Sequence, residues 1–198
     1  MRTGATPQAP LQQLPFDVVE NPVTGERIVF TETGADSGGK RLRFDFFVRP
    51  GGGVPTAHRH TSQHEHMRGV RGSLHVTVDG RDVLVGPGDE LTIDPGMTHQ
   101  MANRGDEEAM CEVEYRPAGR NEDWFRLLHG FAYRYGRNPS LLDLAPFLPT
   151  MSILVPNPPE VPQRILIAYV LRPIAILLGR RRRMLDAAQQ VYGRPISW

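Results

Sequence analysis

Gly52–Gly72 reads GGVPTAHRHTSQHEHMRGVRG and carries four of the chain's seven histidines, His58, His60, His64 and His66, within nine residues. On an extended strand residues i and i+2 share a face, so His58 and His60 present two imidazoles to one spot. Glu65, five residues after His60, returns toward that spot if the chain turns between Thr61 and His64. A second segment, Gly88 to Asn103 (GDELTIDPGMTHQMAN), delivers His99 just past the turn Asp94-Pro95-Gly96. Three imidazoles and one carboxylate form a donor set for a divalent first-row metal, Fe, Mn, Ni, Cu or Zn. The neighbouring histidines read differently. His64 and His66 flank Glu65, so alternation turns them to the outer face, although a one-residue register slip would exchange His64 with Glu65. His75, between Leu74 and Val76, and His129, in a later helical stretch, read as structural.

The spacing around these ligands resembles that of the cupins. Their first motif is G, five residues, H-x-H, three or four residues, E, six residues, G, and Gly52, His58, His60, Glu65 and Gly72 meet every gap. Their second is G, five residues, P-x-G, two residues, H, three residues, N. Gly88, Gly96, His99 and Asn103 fit it, with Asp94 where the first proline is expected. The resemblance runs over roughly residues 20 to 118. It implies a mainly β fold, a cupin double-stranded β-helix (jelly-roll) barrel, with His58, His60, Glu65 and His99 around one metal. It also implies a small-molecule substrate or ligand and a homodimer paired through its sheets.

The flanking sequence supports such a barrel. Arg41–Val48 (RLRFDFFV) alternates, with Leu42, Phe44 and Phe46 on one face and Arg41, Arg43 and Asp45 on the other. Asp79-Gly80 between Ser73–Val78 and Arg81–Val85 signals a two-residue hairpin. Further short strands are expected at Glu90–Ile93 and Ala109–Tyr115, each bounded by turn residues, with no helical period among them. That pattern predicts an antiparallel barrel or sandwich.

Beyond Pro117 the period changes. Asn121-Glu122-Asp123 offers an N-cap and an acidic first turn, and Trp124, Leu127, Leu128, Phe131 and Tyr135 recur at helical intervals. Ser140 is placed to cap a short helix ending at Leu144. A third helical region is expected from about Pro162 to Val191, kinked at Pro173. Its apolar stretch Ile165–Leu178 has fourteen residues, against about 20 for a membrane span. Packing on the barrel or on a second subunit therefore fits better than a membrane surface, which residues 165–183 with their terminal arginines would otherwise suit. The domain reading is a flexible N-terminal tail (1–16), the barrel (17–118) and a C-terminal helical extension (119–198).

Composition narrows the remaining classes. At 198 residues and 39% hydrophobic content the chain can bury one core with an appendage. A net charge of +1, with Lys40 the only lysine and Arg180–Arg183 the one basic run, gives no nucleic-acid surface. Cys111 is the only cysteine, so no internal disulfide forms, and its alternating segment MCEVEY makes it a core thiol. With no apolar run of signal-peptide length in Met1–Phe16, a cytoplasmic location is expected. For function, the open metal site and the cupin resemblance point to a metal-dependent dioxygenase. Phe44, Phe46, Met67 and Met97 are expected to line a pocket for an aromatic or hydrophobic substrate. Two alternatives are a Lewis-acid isomerase, epimerase, decarboxylase or cyclase, and a binding barrel without turnover.

Overall fold

The computed structural model describes residues 13–151, 153–155, 159–196 and 198. Most of the proposed tail, residues 1–12, therefore lies outside the described residues. The chain runs β1 (Val18–Asn21), β2 (Glu26–Glu32), β3 (Leu42–Val48), β4 (Gly53–His60), β5 (His64–Arg71), β6 (Leu74–Val78), β7 (Arg81–Val85), β8 (Glu90–Ile93), β9 (His99–Ala102) and β10 (Ala109–Arg116). Helices α1 (Asn121–Tyr135) and α2 (Leu141–Leu144), a short strand β11 (Ile153–Leu154), and helices α3 (Glu160–Ile165), α4 (Arg172–Leu177) and α5 (Arg180–Tyr192) follow.

The strands form two antiparallel sheets, ordered β1-β2-β3-β10-β5-β8 and β11-β4-β9-β6-β7. In β3, Leu42, Phe44, Phe46 and Val48 are buried while Arg43 is exposed, and β10 buries Ala109, Cys111, Val113 and Tyr115 in the same rhythm. Period-2 patterning thus closes the two sheets face to face over one apolar core, the expected jelly-roll arrangement. Asp79 and Gly80 take φ of 46° and 80°, the left-handed pair that a two-residue hairpin between twisted strands requires. Gly69 lets β5 pass the next turn, because a Cβ there would collide with the carbonyl of Gly86.

The helical extension is welded to the barrel. α1 packs on β1 and α5, burying Trp124, Leu127 and Phe131, with Gly130 leaving room for Ala188 and Tyr192 of α5. Asn121 is the first helical residue rather than the cap. Its side chain donates to Ala118 O at 3.2 Å, and Arg120 takes the cap position, its guanidinium donating to Asp123 Oδ2 at 3.2 Å rather than capping the helix. Ser140 does cap α2, exchanging hydrogen bonds with Asp143 in a capping box. The segment after residue 12 joins this assembly: Leu14 N donates to Val191 O at 3.0 Å, and the Arg126 guanidinium lies 4.0 Å from the Phe16 ring centre.

The third helical region departs from expectation in two ways. Its sharp bend, 69°, separates Glu160–Leu177 from Arg180–Tyr192 and falls at Gly179, not at Pro173. Gly179 adopts φ 68°, a left-handed stop that needs no Cβ relief. Pro173 sits in the first turn of α4, where its missing N–H costs little, and a π-helical stretch, Leu166–Leu171, precedes it. Ile165–Leu178 also packs only in part on its own chain: Ile167 and Ala175 are buried, but Tyr169 and Leu177 are 78% and 87% exposed, and Ile165, Ile174 and Leu178 are exposed beside them. No single helix among the described residues is long and apolar enough to cross a membrane.

Candidate metal centre

Four side chains from three strands converge inside the barrel. β4 carries His58 and His60 on one face, β5 brings Glu65 back after the turn at Thr61–Gln63, and β9 pairs with β4 so that His58 and His99 are Cα partners. Ring centres lie 4.3 Å apart for His58–His99, 5.2 Å for His58–His60 and 5.3 Å for His60–His99. One ring nitrogen from each of the three falls within 4.8 Å of the others. Glu65 Oε2 stands 3.3 Å from His60 Nε2 and 3.1 Å from His99 Nε2.

The hydrogen bonds prepare these atoms as ligands. His58 Nδ1 faces the Thr56 carbonyl at 3.1 Å and His99 Nδ1 faces the Met97 carbonyl at 3.2 Å. A carbonyl only accepts, so both rings carry their proton on Nδ1 and turn the Nε2 lone pair inward. His60 Nε2, His99 Nε2 and Glu65 Oε2 are buried without a properly oriented hydrogen-bond partner. Buried polar atoms are normally paired, and a cation drawing on these lone pairs is the partner their chemistry fits.

Electrostatics leave His58 neutral and Glu65 ionised, the states in which each donates a lone pair. Burial, with the His99 and His60 rings beside it, pushes His58 down to about 4, so it is neutral. Burial alone would raise the Glu65 carboxyl, but His60 and His99 outweigh it and hold it well below the usual carboxylate range. Burial also opposes charge on His99, and Glu65 overcomes this to raise it. Tyr115, the β10 partner of Glu65, was not singled out by sequence reading. Its ring centre lies 5.1 Å from that of His60, and burial together with the Glu65 carboxylate drives its hydroxyl well above the normal phenol value. Only its place in the alternation of β10 could have marked it.

The other histidines sit elsewhere. His64 is exposed, its Nδ1 3.0 Å from Asp94 Oδ1, and His66 Nδ1 lies 3.1 Å from Thr92 Oγ1 on the outer face. The slipped register that would have used His64 is not adopted. Arg59 and Arg68 likewise turn outward, toward Glu160 and Glu112.

His58, His60 and Glu65 open onto a cavity of about 280 Å³. Phe44 and Phe46 line it as expected. Met67 and Met97 do not: Met67 is fully buried in the packed barrel core, where β5 is flanked on both sides by β10 and β8, and Met97 packs half-buried against that core. The helical extension supplies the missing wall, with Trp124, Phe125, Leu128 and His129 of α1, Leu144 of α2 and Ile153 of β11 all facing the cavity.

Comparison with known proteins bears on the barrel. A family model described as the cupin domain matches residues 44–113, the span that contains all four converging side chains. Similar solved structures include a sugar phosphate isomerase from a cupin superfamily of Silicibacter pomeroyi, 24% identical over 48% of this chain and 60% of that one, TM-score 0.43. A predicted oxalate decarboxylase of Thermotoga maritima is 22% identical over 46% of this chain and 80% of that one, TM-score 0.44. KdgF from a Halomonas species is 15% identical over 50% of this chain and 84% of that one, TM-score 0.42. The chain thus spans less than two thirds of the isomerase's length. No curated protein matches it in sequence.

Proposed function

The barrel of this chain is a cupin domain, and on that premise we propose that it is a metal-dependent dioxygenase acting on a small aromatic or hydrophobic molecule, with His58, His60, Glu65 and His99 as the ligand set. The observation that supports this substrate class is the cavity wall. Phe44, Phe46, Phe125, Trp124 and Tyr115 dominate it, and among the described residues no lysine or arginine lines it. A sugar phosphate would lose its hydration there with no lysine or arginine to meet its phosphate, a cost that an uncharged ring does not carry.

A redox-capable metal in this donor set supplies the activation of dioxygen and of the substrate's oxygens. The protein's own part is positional. The Thr56 and Met97 carbonyls fix two imidazole tautomers, Glu65 offsets cationic charge in the buried centre, and Tyr115 keeps its proton beside Glu65. α1 and β11 supply one wall of the cavity.

Elemental analysis of the purified protein tests the metal, and oxygen uptake by the Fe(II)-loaded form with catechols, flavonols and thiols tests the chemistry. The expected result is one transition metal per chain and uptake with at least one substrate class. Metal without uptake would leave Lewis-acid catalysis. A protein that also ignores added Fe, Mn and Ni would be a binding barrel.

The same proposal includes a homodimer, with the outward apolar face of Ile165–Leu178 covered by a second copy. Sedimentation of the full chain should give a dimer that Leu177→Glu dissociates. A monomer that floats with anionic vesicles would assign the face to a lipid surface instead.

A further inference from the structure

A second polar cluster lies in the same cavity, where α1 meets β2. Glu26 opens β2 and His129 sits on α1; both are buried, and both face the cavity. Thr24 Oγ1 donates to Glu26 Oε2 at 2.7 Å. His129 Nδ1 lies 3.1 Å from the Phe125 carbonyl, which can only accept, so Nδ1 holds the proton and Nε2 the lone pair. That Nε2 stands 3.5 Å from Glu26 Oε2 and has no hydrogen-bond partner. The nearby amides each spend one N–H elsewhere, Asn21 Nδ2 on Asn138 Oδ1 at 3.0 Å and Asn121 Nδ2 on Ala118 O at 3.2 Å, and neither bonds His129 Nε2.

A clasp whose sole purpose was to tie β2 to α1 would close to hydrogen-bonding length. With Glu26 ionised, two acceptors face each other across a gap, which is costly unless a proton on the carboxyl or an incoming donor comes between them. Burial favours the neutral form of each, moving Glu26 up to about 7 against the Thr24 bond and His129 down to about 4 against the Phe125 bond. Between this pair and the three histidines runs a continuous set of rings. The centroid separations are 5.9 Å for His129–Phe125, 6.2 Å for Phe125–Tyr115 and 5.1 Å for Tyr115–His60, with Phe44 5.5 Å from Phe125.

We infer that Glu26 and His129 form a distal subsite that takes the hydrogen-bond-donating head, an amine or hydroxyl, of a small aromatic molecule whose ring lies along Phe44, Phe125 and Tyr115. The inference rests on the cavity being a small-molecule site and deepens that reading by naming the substrate's far end. It does not require the metal. An amine brings enough donors for both acceptors and a charge for Glu26; a hydroxyl serves one acceptor at a time.

The test titrates the full chain with benzylamine, benzyl alcohol and toluene while long-range ¹H–¹⁵N spectra follow the His129 ring nitrogens. Both donors should move the Nε2 resonance saturably and toluene should not. Glu26→Gln should weaken benzylamine by about 10-fold or more, the loss of one charge-assisted hydrogen bond, and benzyl alcohol by much less. His129→Gln, which alters the other acceptor, should weaken both, so the outcome does not hang on one variant folding. No saturable shift with either donor, or benzylamine binding equally to wild type and both variants, would overturn the subsite. A separate zinc titration of the same protein reports on the histidine centre, so failure of one reading does not hide the other.

Discussion

Replacing Glu26 with glutamine should make the protein's stability less dependent on pH between about 4.5 and 7. Burial raises this carboxyl from 4.5 to about 7, only partly opposed by the Thr24 hydroxyl. Between those values the folded chain keeps a proton that the unfolded chain has released, so the carboxyl's contribution becomes less favourable as pH climbs past 4.5 and stops worsening above 7. At ~1.4 kcal/mol per pKa unit the full shift amounts to about 3 kcal/mol of lost stability at pH 8. Gln keeps the shape and hydrogen-bonding reach of the neutral acid without the ionisation. Urea unfolding of both proteins in EDTA, from pH 4.5 to 8.5, should show near-equal stability at the acid end and Glu26→Gln ahead by roughly 2–3 kcal/mol at the alkaline end. His129 supplies the opposite slope. Burial lowers it from 6.5 to about 4, so the stability of its buried neutral form is lost as pH falls from 6.5 toward 4, equally in both proteins. A difference between wild type and variant that stays constant from pH 5 to pH 8 would refute the reasoning, because a carboxyl unperturbed by folding has no linkage to contribute.

Three further outcomes follow from the packing and the ligand geometry. His60→Ala and His99→Ala should each lower zinc affinity by ~10-fold or more in calorimetric titration, since each removes a direct donor, whereas His66→Ala, on the outer face beside Thr92, should leave it unchanged. Gly69→Ala should lower stability by about 1–3 kcal/mol in thermal or urea unfolding, because its Cβ would meet the Gly86 backbone rather than a side chain able to move. Phe131→Ala should cost ~3–5 kcal/mol, because its ring is fully buried where α1 meets α5.

The convergence of His58, His60, Glu65 and His99 was legible in the sequence because strand periodicity is strict. Once β4 is extended, His58 and His60 must share a face, and Glu65 rather than His64 points inward because β5 alternates Glu65, Met67 and Gly69 toward the core. The hairpin at Asp79-Gly80 was legible for a comparable reason, since two consecutive left-handed residues have few sequence solutions. The other features depend on contacts between distant segments. Tyr115 reaches His60 only because β10 lies beside β5, and the order β3-β10-β5 brings together strands more than forty residues apart, which no local pattern records. His129 looked like one more residue in an amphipathic helix. Its period places it one turn after Phe125, but does not show that this face would wall a cavity. Met67 erred in the other direction: alternation does turn it inward, yet inward in a packed barrel means core at one level and cavity at another.

That distinction of levels explains why the extension matters to the site. A small barrel fills its own interior with side chains unless something holds an end open, and here α1, α2 and β11 span the gap, contributing Phe125, Leu128, His129, Leu144 and Ile153 to the cavity wall. The strands alone would provide the metal ligands and half an enclosure. The helices provide the other half together with His129, which faces Glu26 of β2 across the far end of the cavity. Substitutions in α1 should therefore change what fits in the cavity while His58, His60, Glu65 and His99, all on strands, keep their geometry.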